Sequence, residues 1–210
     1  MNSSTTPITA APPPPSTSDE EIIYTDGSCL SQHNKATRRA GYAVNFGAGD
    51  ARNVSEPIEG GNQTNQIGEL LAVVVALERS TPGKRVTIYS DSHYVIRGLV
   101  GMDGEPPWFH QWLCNGWRNA KRKPVKHRDL WERAIAAGAN RSFKLLYSKA
   151  HSGIAGNEAA DRMARAGAAK RGTSERPADV DVRATKKAKC DCKATICNDG
   201  CARMPDESKQ

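Results

Sequence analysis

Four acidic residues sit where a solvated surface charge is not expected. Asp26 ends the apolar run EEIIYTD and Asp91 ends RVTIYSD, while Glu69 adjoins Leu70 and Leu71, and Asp161 lies among Ala159, Ala160 and Met163. A buried carboxylate without a partner is too costly to persist, so each needs a cation, a hydrogen-bond network or a raised pKa. Taken singly each has an ordinary alternative: Asp26-Gly27 and Asp91-Ser92 also read as a turn and an N-cap pair. Taken together, four carboxylates form an oxygen-only set that suits a hard divalent cation, Mg²⁺ or Mn²⁺, better than zinc. Two such ions roughly 3.5–4 Å apart would serve in-line phosphodiester hydrolysis, one activating the attacking water and the other stabilising the leaving oxygen.

Such acids must converge, and the ends of strands in an open α/β sheet are where ligands bind. EEIIYTDGS reads as a buried strand, RAGYAVNFG alternates and ends in Gly, a third strand is expected around 52–58, and RVTIYSD and SFKLLYS complete the set. Ile67, Leu70, Leu71, Val74 and Leu77 share one face at helical spacing. Further helices are expected after Asp91, around 107–115 and around 128–137, and a closing helix carries Ala160, Met163, Ala164, Gly167 and Ala168 on one face. Three successive strands followed by strands alternating with helices indicate a mixed α/β sheet with helices packed on it.

Composition sets the boundaries of that domain within the 210 residues. The leader, 1–19, holds five of the 12 prolines and eight Ser/Thr, a composition that favours an extended, solvated chain. From 171 to 210 there are no aromatics, and Val180, Val182, Ile196 and Met204 are the only large aliphatic or Met side chains, too few to offset the entropy of ordering. That leaves 20–170 as the folded domain. The leader lacks the basic start and apolar stretch of a secretory signal, and the first basic residue is Lys35, so an intracellular location, cytoplasmic or nuclear, is expected. No apolar run approaches the roughly 18 residues of a membrane span. The formal net charge of +7 points to an anionic partner, nucleic acid first.

The motifs YTDGS (24–28), TNQIGELLAVVVALE (64–78), YSDSHYVIRGL (89–99) and KAHSGIAGNEAADRMA (149–164) resemble, in order and spacing, those of type 1 ribonuclease H. WFHQWLCNGWRNAKRKPVKHRDLWERA (108–134) resembles that family's hybrid-gripping helix and basic protrusion. The resemblance implies a ribonuclease H-like fold, a five-stranded mixed sheet with its first three strands antiparallel, flanked by helices. It implies endonucleolytic hydrolysis of the RNA strand of an RNA–DNA hybrid, leaving 3′-hydroxyl and 5′-phosphate ends, with Asp26, Glu69, Asp91 and Asp161 as ligands of two Mg²⁺ or Mn²⁺ ions. His151 matches the family's mobile histidine, which assists proton transfer and product release. Ser28, Cys29, Asn65 and Gln66 fall at positions lining the groove where a 2′-hydroxyl is read, and Ser92 is grouped with the substrate contacts. Arg118, Lys121, Arg122, Lys123, Lys126 and Arg128 put six cations into eleven residues with no acid among them. Read alone this is a solvated basic face; under the resemblance Trp117, Lys121, Arg122, Lys123 and His127 grip the DNA strand. His93 and His127 depart from the residues many relatives carry there, which bears on substrate details only.

Four of the six cysteines, Cys190, Cys192, Cys197 and Cys201, fall within twelve residues. They can make a closed Zn²⁺ site or stand as reduced thiols in a flexible tail. Cys29 is expected at the edge of the site and Cys114 packed in a helix. A monomer acting on hybrid is expected, without membrane contact. Two rivals stay open on sequence alone: a ribonuclease H domain derived from a retroelement, and a non-catalytic hybrid-binding module on the same scaffold.

Overall fold

β1 (Glu20–Leu30) is buried from Ile23 to Gly27, residues that alternate between its two faces, as befits the central strand of a sheet covered on two sides. It pairs antiparallel with β2 (Arg39–Asn45), which pairs antiparallel with β3 (Val54–Pro57). On its other edge β1 pairs parallel with β4 (Arg85–Ser90), and β4 pairs parallel with β5 (Phe143–Tyr147). The sheet order is therefore β3-β2-β1-β4-β5, the mixed five-stranded arrangement expected. This computed structural model describes residues 19–170 apart from 61, 62 and 151, so the leader up to residue 18, the cysteine cluster and His151 lie outside the described residues, while the carbonyl of Asp19, expected in the leader, accepts from Arg85 N at 3.0 Å beside β4.

α1 (Asn65–Arg79), α2 (His93–Leu99), α3 (Trp108–Cys114) and α4 (Arg128–Gly138) follow the order expected, and α5 (Ala155–Ala169) closes the chain. α1 differs from a one-faced amphipathic helix. Its residues from Ala72 to Leu77 are all buried, because it lies against β1 and β2 on one side and α4 on another. Leu70, Val73, Val74 and Leu77 join Ile23, Val44, Val86, Ile88, Val95 and Trp131 in one core. No helix among the described residues is long and apolar enough to cross a membrane.

Glycine sets how closely the helices approach the sheet. A Cβ on Gly27 would lie 2.8 Å from the Cα of Gly68, and one on Gly68 would lie 2.9 Å from the Cα of Gly27, so β1 and α1 touch backbone to backbone. On the opposite face a Cβ on Gly156 would enter the Tyr24 ring, and one on Gly167 would lie 2.7 Å from the carbonyl of Glu56. Asn45 Nδ2 donates to the Gly156 carbonyl at 3.0 Å, and Ser55 Oγ donates to the Met163 carbonyl at 2.7 Å. These contacts fix α5 along β1, β2 and β3.

Candidate active site

Strand register brings two of the four acids together. Tyr24 pairs with Tyr89 and Thr25 with Ser90, the last parallel pair, so Asp26 and Asp91 each stand one residue beyond it on adjacent strands. Alternate strand residues share a face, and the rings of Tyr24 and Tyr89 stack at 5.1 Å on that of the two aspartates. Gly27, pointing the other way, receives α1, and Glu69 is the residue immediately after its contact with Gly68. α5 leaves the Tyr24–Gly156 contact and carries Asp161 a turn and a half further on.

The four acids also act on one another electrostatically. Asp26 is 9 % exposed, and burial, reinforced by the negative charges of Asp91, Asp161 and Glu69, pushes its carboxyl up to about 7 despite a hydrogen bond from the Gly27 backbone. Glu69 is raised too, by burial and by the charge of Asp91, with an opposing hydrogen bond from Ser92. Four like charges repel, and two of them lean on other donors. Ser92 Oγ donates to Glu69 Oε2 at 2.5 Å, and Arg165 Nε meets Asp161 Oδ1 at 3.0 Å. Among the described residues no group of three or more His, Cys, Asp or Glu is already gathered as a metal cage. The donor chemistry nevertheless fits a hard divalent cation: every donor is a carboxylate oxygen, and a carboxyl raised to about 7 by burial and by its neighbours' charge is one whose ionised form an added cation would stabilise.

Ser92 is buried, caps α2 by accepting from Val95 N at 3.3 Å, and holds Glu69, so its hydroxyl serves the acids rather than the open groove. Ser28 and Cys29 are half-buried at the end of β1, and the Cys29 thiol donates to the Gln63 carbonyl at 3.5 Å. Asn65 and Gln66 open α1, whose N-cap Thr64 accepts from Ile67 N through its side chain. Asn65 Oδ1 is buried and has no partner within the described residues, while Gln66 is exposed.

Lys121, Arg122 and Lys123 are exposed as expected. Trp117 is placed differently from a groove contact. It is 6 % exposed, its ring 5.8 Å from that of Trp112, with the Arg128 guanidinium over it at 5.0 Å. Trp112 in turn meets Trp131 at 5.0 Å, and Trp131 meets Tyr94 of α2 at 5.2 Å, so the indoles root the protrusion in the helix that follows Asp91. His127, half-buried, adopts a left-handed backbone (φ 55°) before α4, and burial lowers its pKa. Cys114 corrects the sequence reading: it is exposed, because short α3 buries only Trp112.

Two asparagines escape sequence reasoning. Asn115 Oδ1 accepts from Arg118 N at 2.8 Å and its Nδ2 donates to Arg118 O at 2.8 Å, while Asn119 Oδ1 accepts from the backbone of Lys121 and Lys123. These side chains shape the basic loop; a clue was their position just before the cations, where Asn favours local turns. An open cleft here is lined by Gln111, Asn115, Arg118, Asn119, Ala120 and Arg122.

Comparison with known proteins agrees with this geometry. The family model described as RNase H matches residues 18–169. Ribonuclease H of Rhodopseudomonas palustris is 40 % identical over 148 residues, 70 % of this chain and 87 % of that protein, and that of Roseobacter denitrificans is 38 % identical over 148 residues, covering 93 % of its length. Ribonuclease H of Schizosaccharomyces pombe is 40 % identical over 148 residues, and the match spans about half (53 %) of that longer protein. Among solved structures, LC9-RNase H1, a type 1 RNase H with the type 2 active-site motif, is 25 % identical with a TM-score of 0.55, covering 71 % of this chain and 72 % of that one. The PFV RNase H domain is 26 % identical with a TM-score of 0.55, covering 70 % and 93 %.

Proposed function

The chain belongs to the ribonuclease H family, and from that premise we propose that it is an endonuclease hydrolysing the RNA strand of RNA–DNA hybrids. The observation that carries this reading is the convergence of Asp91, Asp161 and Glu69 on Asp26, whose carboxyl they help push up to about 7. Asp26, Glu69, Asp91 and Asp161 would hold two Mg²⁺ or Mn²⁺ ions, which would supply activation of water and stabilisation of the leaving oxygen for a cleavage leaving 3′-hydroxyl and 5′-phosphate ends. The residues of this chain do the rest. Asp26 and Asp91 present adjacent carboxylates from paired strand ends, Glu69 completes the set from α1 under the hold of Ser92, and Asp161 adds a fourth from α5.

Hybrid selection follows from the groups beside them. A buried acceptor without a partner, Asn65 Oδ1, suits a 2′-hydroxyl donor, and Ser28, Cys29 and Gln66 flank it. Lys121, Arg122 and Lys123 take the phosphates of the DNA strand, on a loop that Asn115 and Asn119 fold and the Trp117–Trp112–Trp131 stack supports. His151 keeps the part that the resemblance implies, in proton transfer and product release. Residues 20–170 are proposed as the catalytic domain.

The test is direct. The protein is incubated with labelled hybrid, double-stranded RNA and double-stranded DNA, with Mg²⁺ or EDTA, alongside Asp91→Asn. Cleavage of the hybrid's RNA strand alone, dependent on Mg²⁺ and abolished by the substitution, is expected. Binding of hybrid without cleavage would transfer the reading to a non-catalytic module.

A further inference from the structure

We infer that Gln63 is a positioning residue for hybrid recognition: its amide locks the segment that delivers Asn65 and Gln66 to the groove. Its Oε1 accepts from Ala40 N of β2 at 2.6 Å, and its Nε2 donates to the carbonyls of Ile58 and Gly60, each at 2.7 Å. Its own carbonyl accepts the Cys29 thiol at 3.5 Å. One side chain and one carbonyl thus tie the start of β2, the chain leaving β3, and the end of β1 to the residue that immediately precedes the α1 cap.

A glutamine amide offers two donors and one acceptor oxygen with two lone pairs. Here both donors are used, and the oxygen serves a backbone N–H at the beginning of β2. Such saturation is unexpected for a residue in a connecting segment, where a half-exposed glutamine can turn to water without loss. Thr64, the next residue, accepts from Ile67 N through its side chain, and its carbonyl accepts from Gly68 N at 3.3 Å, so the first turn of α1 continues rigidly from the locked position. Asn65 and Gln66 occupy that turn.

Glu69 has a separate anchor. The Gly27–Gly68 backbone contact sets α1 against β1, and Ser92 holds the carboxylate, so neither depends on Gln63. Loss of the Gln63 amide therefore disturbs recognition ahead of the acids' chemistry. This inference rests on the proposed hybrid-cleaving function, with Asn65 reading the sugar.

The experiment is a double-mutant cycle on the full chain. Affinities for a fluorescent hybrid and for the same sequence as double-stranded DNA are measured by anisotropy in EDTA, and cleavage of the hybrid is followed separately in Mg²⁺. Gln63→Ala is expected to weaken hybrid binding by about tenfold while leaving DNA binding unchanged and kcat at saturating hybrid within about twofold. Asn65→Ala should weaken hybrid binding similarly, and Gln63→Ala should add little in its presence, since residues that act through one another are not additive. Gln63→Met preserves the side chain's bulk and takes the place of the Ala variant if that one unfolds at the assay temperature. Independent, additive losses, equal losses on hybrid and DNA, or unchanged hybrid affinity would each overturn the role. Failure of the wild-type protein to cleave hybrid that it binds would overturn the proposed activity and leave the cycle to be read on affinity alone.

Discussion

At the scale of single residues, the decisive quantity is the charge state of Asp26. Its folded pKa of about 7 stands well above the ordinary carboxylate range near 3.9 of an unfolded chain. Between those values the folded state binds a proton that the unfolded state has released, so the contribution of Asp26 to stability in EDTA is greatest at low pH and falls as pH rises from about 4 to about 7, levelling above that. At about 1.4 kcal/mol per unit, the full swing is on the order of 4 kcal/mol, with Glu69 adding in the same direction. Asp26→Asn removes the titrating group. The substituted protein is expected to match wild type in denaturant melts near pH 4 and to exceed its stability at pH 8, both in EDTA, while losing Mg²⁺-dependent cleavage. Divalent ions should stabilise wild type increasingly as pH rises, because deprotonated ligands bind them. Melts in which the two proteins keep a constant difference across this range would show that Asp26 titrates normally. Ser92 belongs to the same economy of charge, for its short hydrogen bond favours the ionised form of Glu69 against burial.

At the scale of elements, the acids are placed by contacts that contain no acid. Gly68 lies inside α1, where Ala would ordinarily stabilise a helix by about 0.8–1 kcal/mol. A methyl group there meets the Cα of Gly27 at 2.9 Å and the carbonyl of Gly41 at 2.7 Å, backbone atoms that cannot rotate away. Overpacking of this kind costs about 1–3 kcal/mol, so Gly68→Ala is expected to lower stability by up to about 2 kcal/mol net of the propensity gain, and to reduce cleavage sharply by displacing Glu69. Urea unfolding and kcat measured on the same preparation decide it; a stabilised, fully active variant would mean that propensity outweighs the contact. Much of this arrangement is legible in the sequence. Asp26 and Asp91 interrupt apolar strand patterns, and Leu70, Val74 and Leu77 keep helical spacing, so strand ends and helix faces can be assigned from local periodicity. What periodicity does not carry is pairing register, which makes Asp26 and Asp91 neighbours, or the mutual approach of Gly27 and Gly68, which lie 41 positions apart. Trp117 shows the same limit: an indole among cations reads equally as a contact or as packing, and only its neighbours Trp112 and Arg128 decide.

At the scale of the whole molecule, the net charge of +7 conceals a separation of signs. Asp26, Glu69, Asp91 and Asp161 share one field at the strand ends, whereas the stretch 118–128 holds six cations and no acid. Within that stretch Arg128 pairs with Glu132 at 2.7 Å and covers Trp117, and Arg118 donates to the Arg122 carbonyl, so these two arginines are partly committed to the fold. Lys121, Arg122, Lys123 and Lys126 are exposed and, among the described residues, in no ion pair. Cations held in that way bind phosphate by releasing condensed counterions, and each phosphate neutralised adds about 0.9 to the magnitude of the slope of log K against log salt for a duplex. Replacing Lys121, Arg122 and Lys123 together by Ala should therefore flatten the slope for hybrid binding by roughly two to three, with little change in melting temperature because exposed charges contribute under about 0.5 kcal/mol each to stability. The same substitution should leave kcat nearly intact at low salt and saturating hybrid, since these three exposed side chains make no ion pair with the acids among the described residues. Anisotropy titrations from 50 to 300 mM KCl, on the order of the range over which duplex contacts are screened, measure the slope. An unchanged slope would place the phosphate contacts on another face and leave the cations of 118–128 as solvated surface; a flattened slope with unchanged kcat would separate grip from chemistry in this fold.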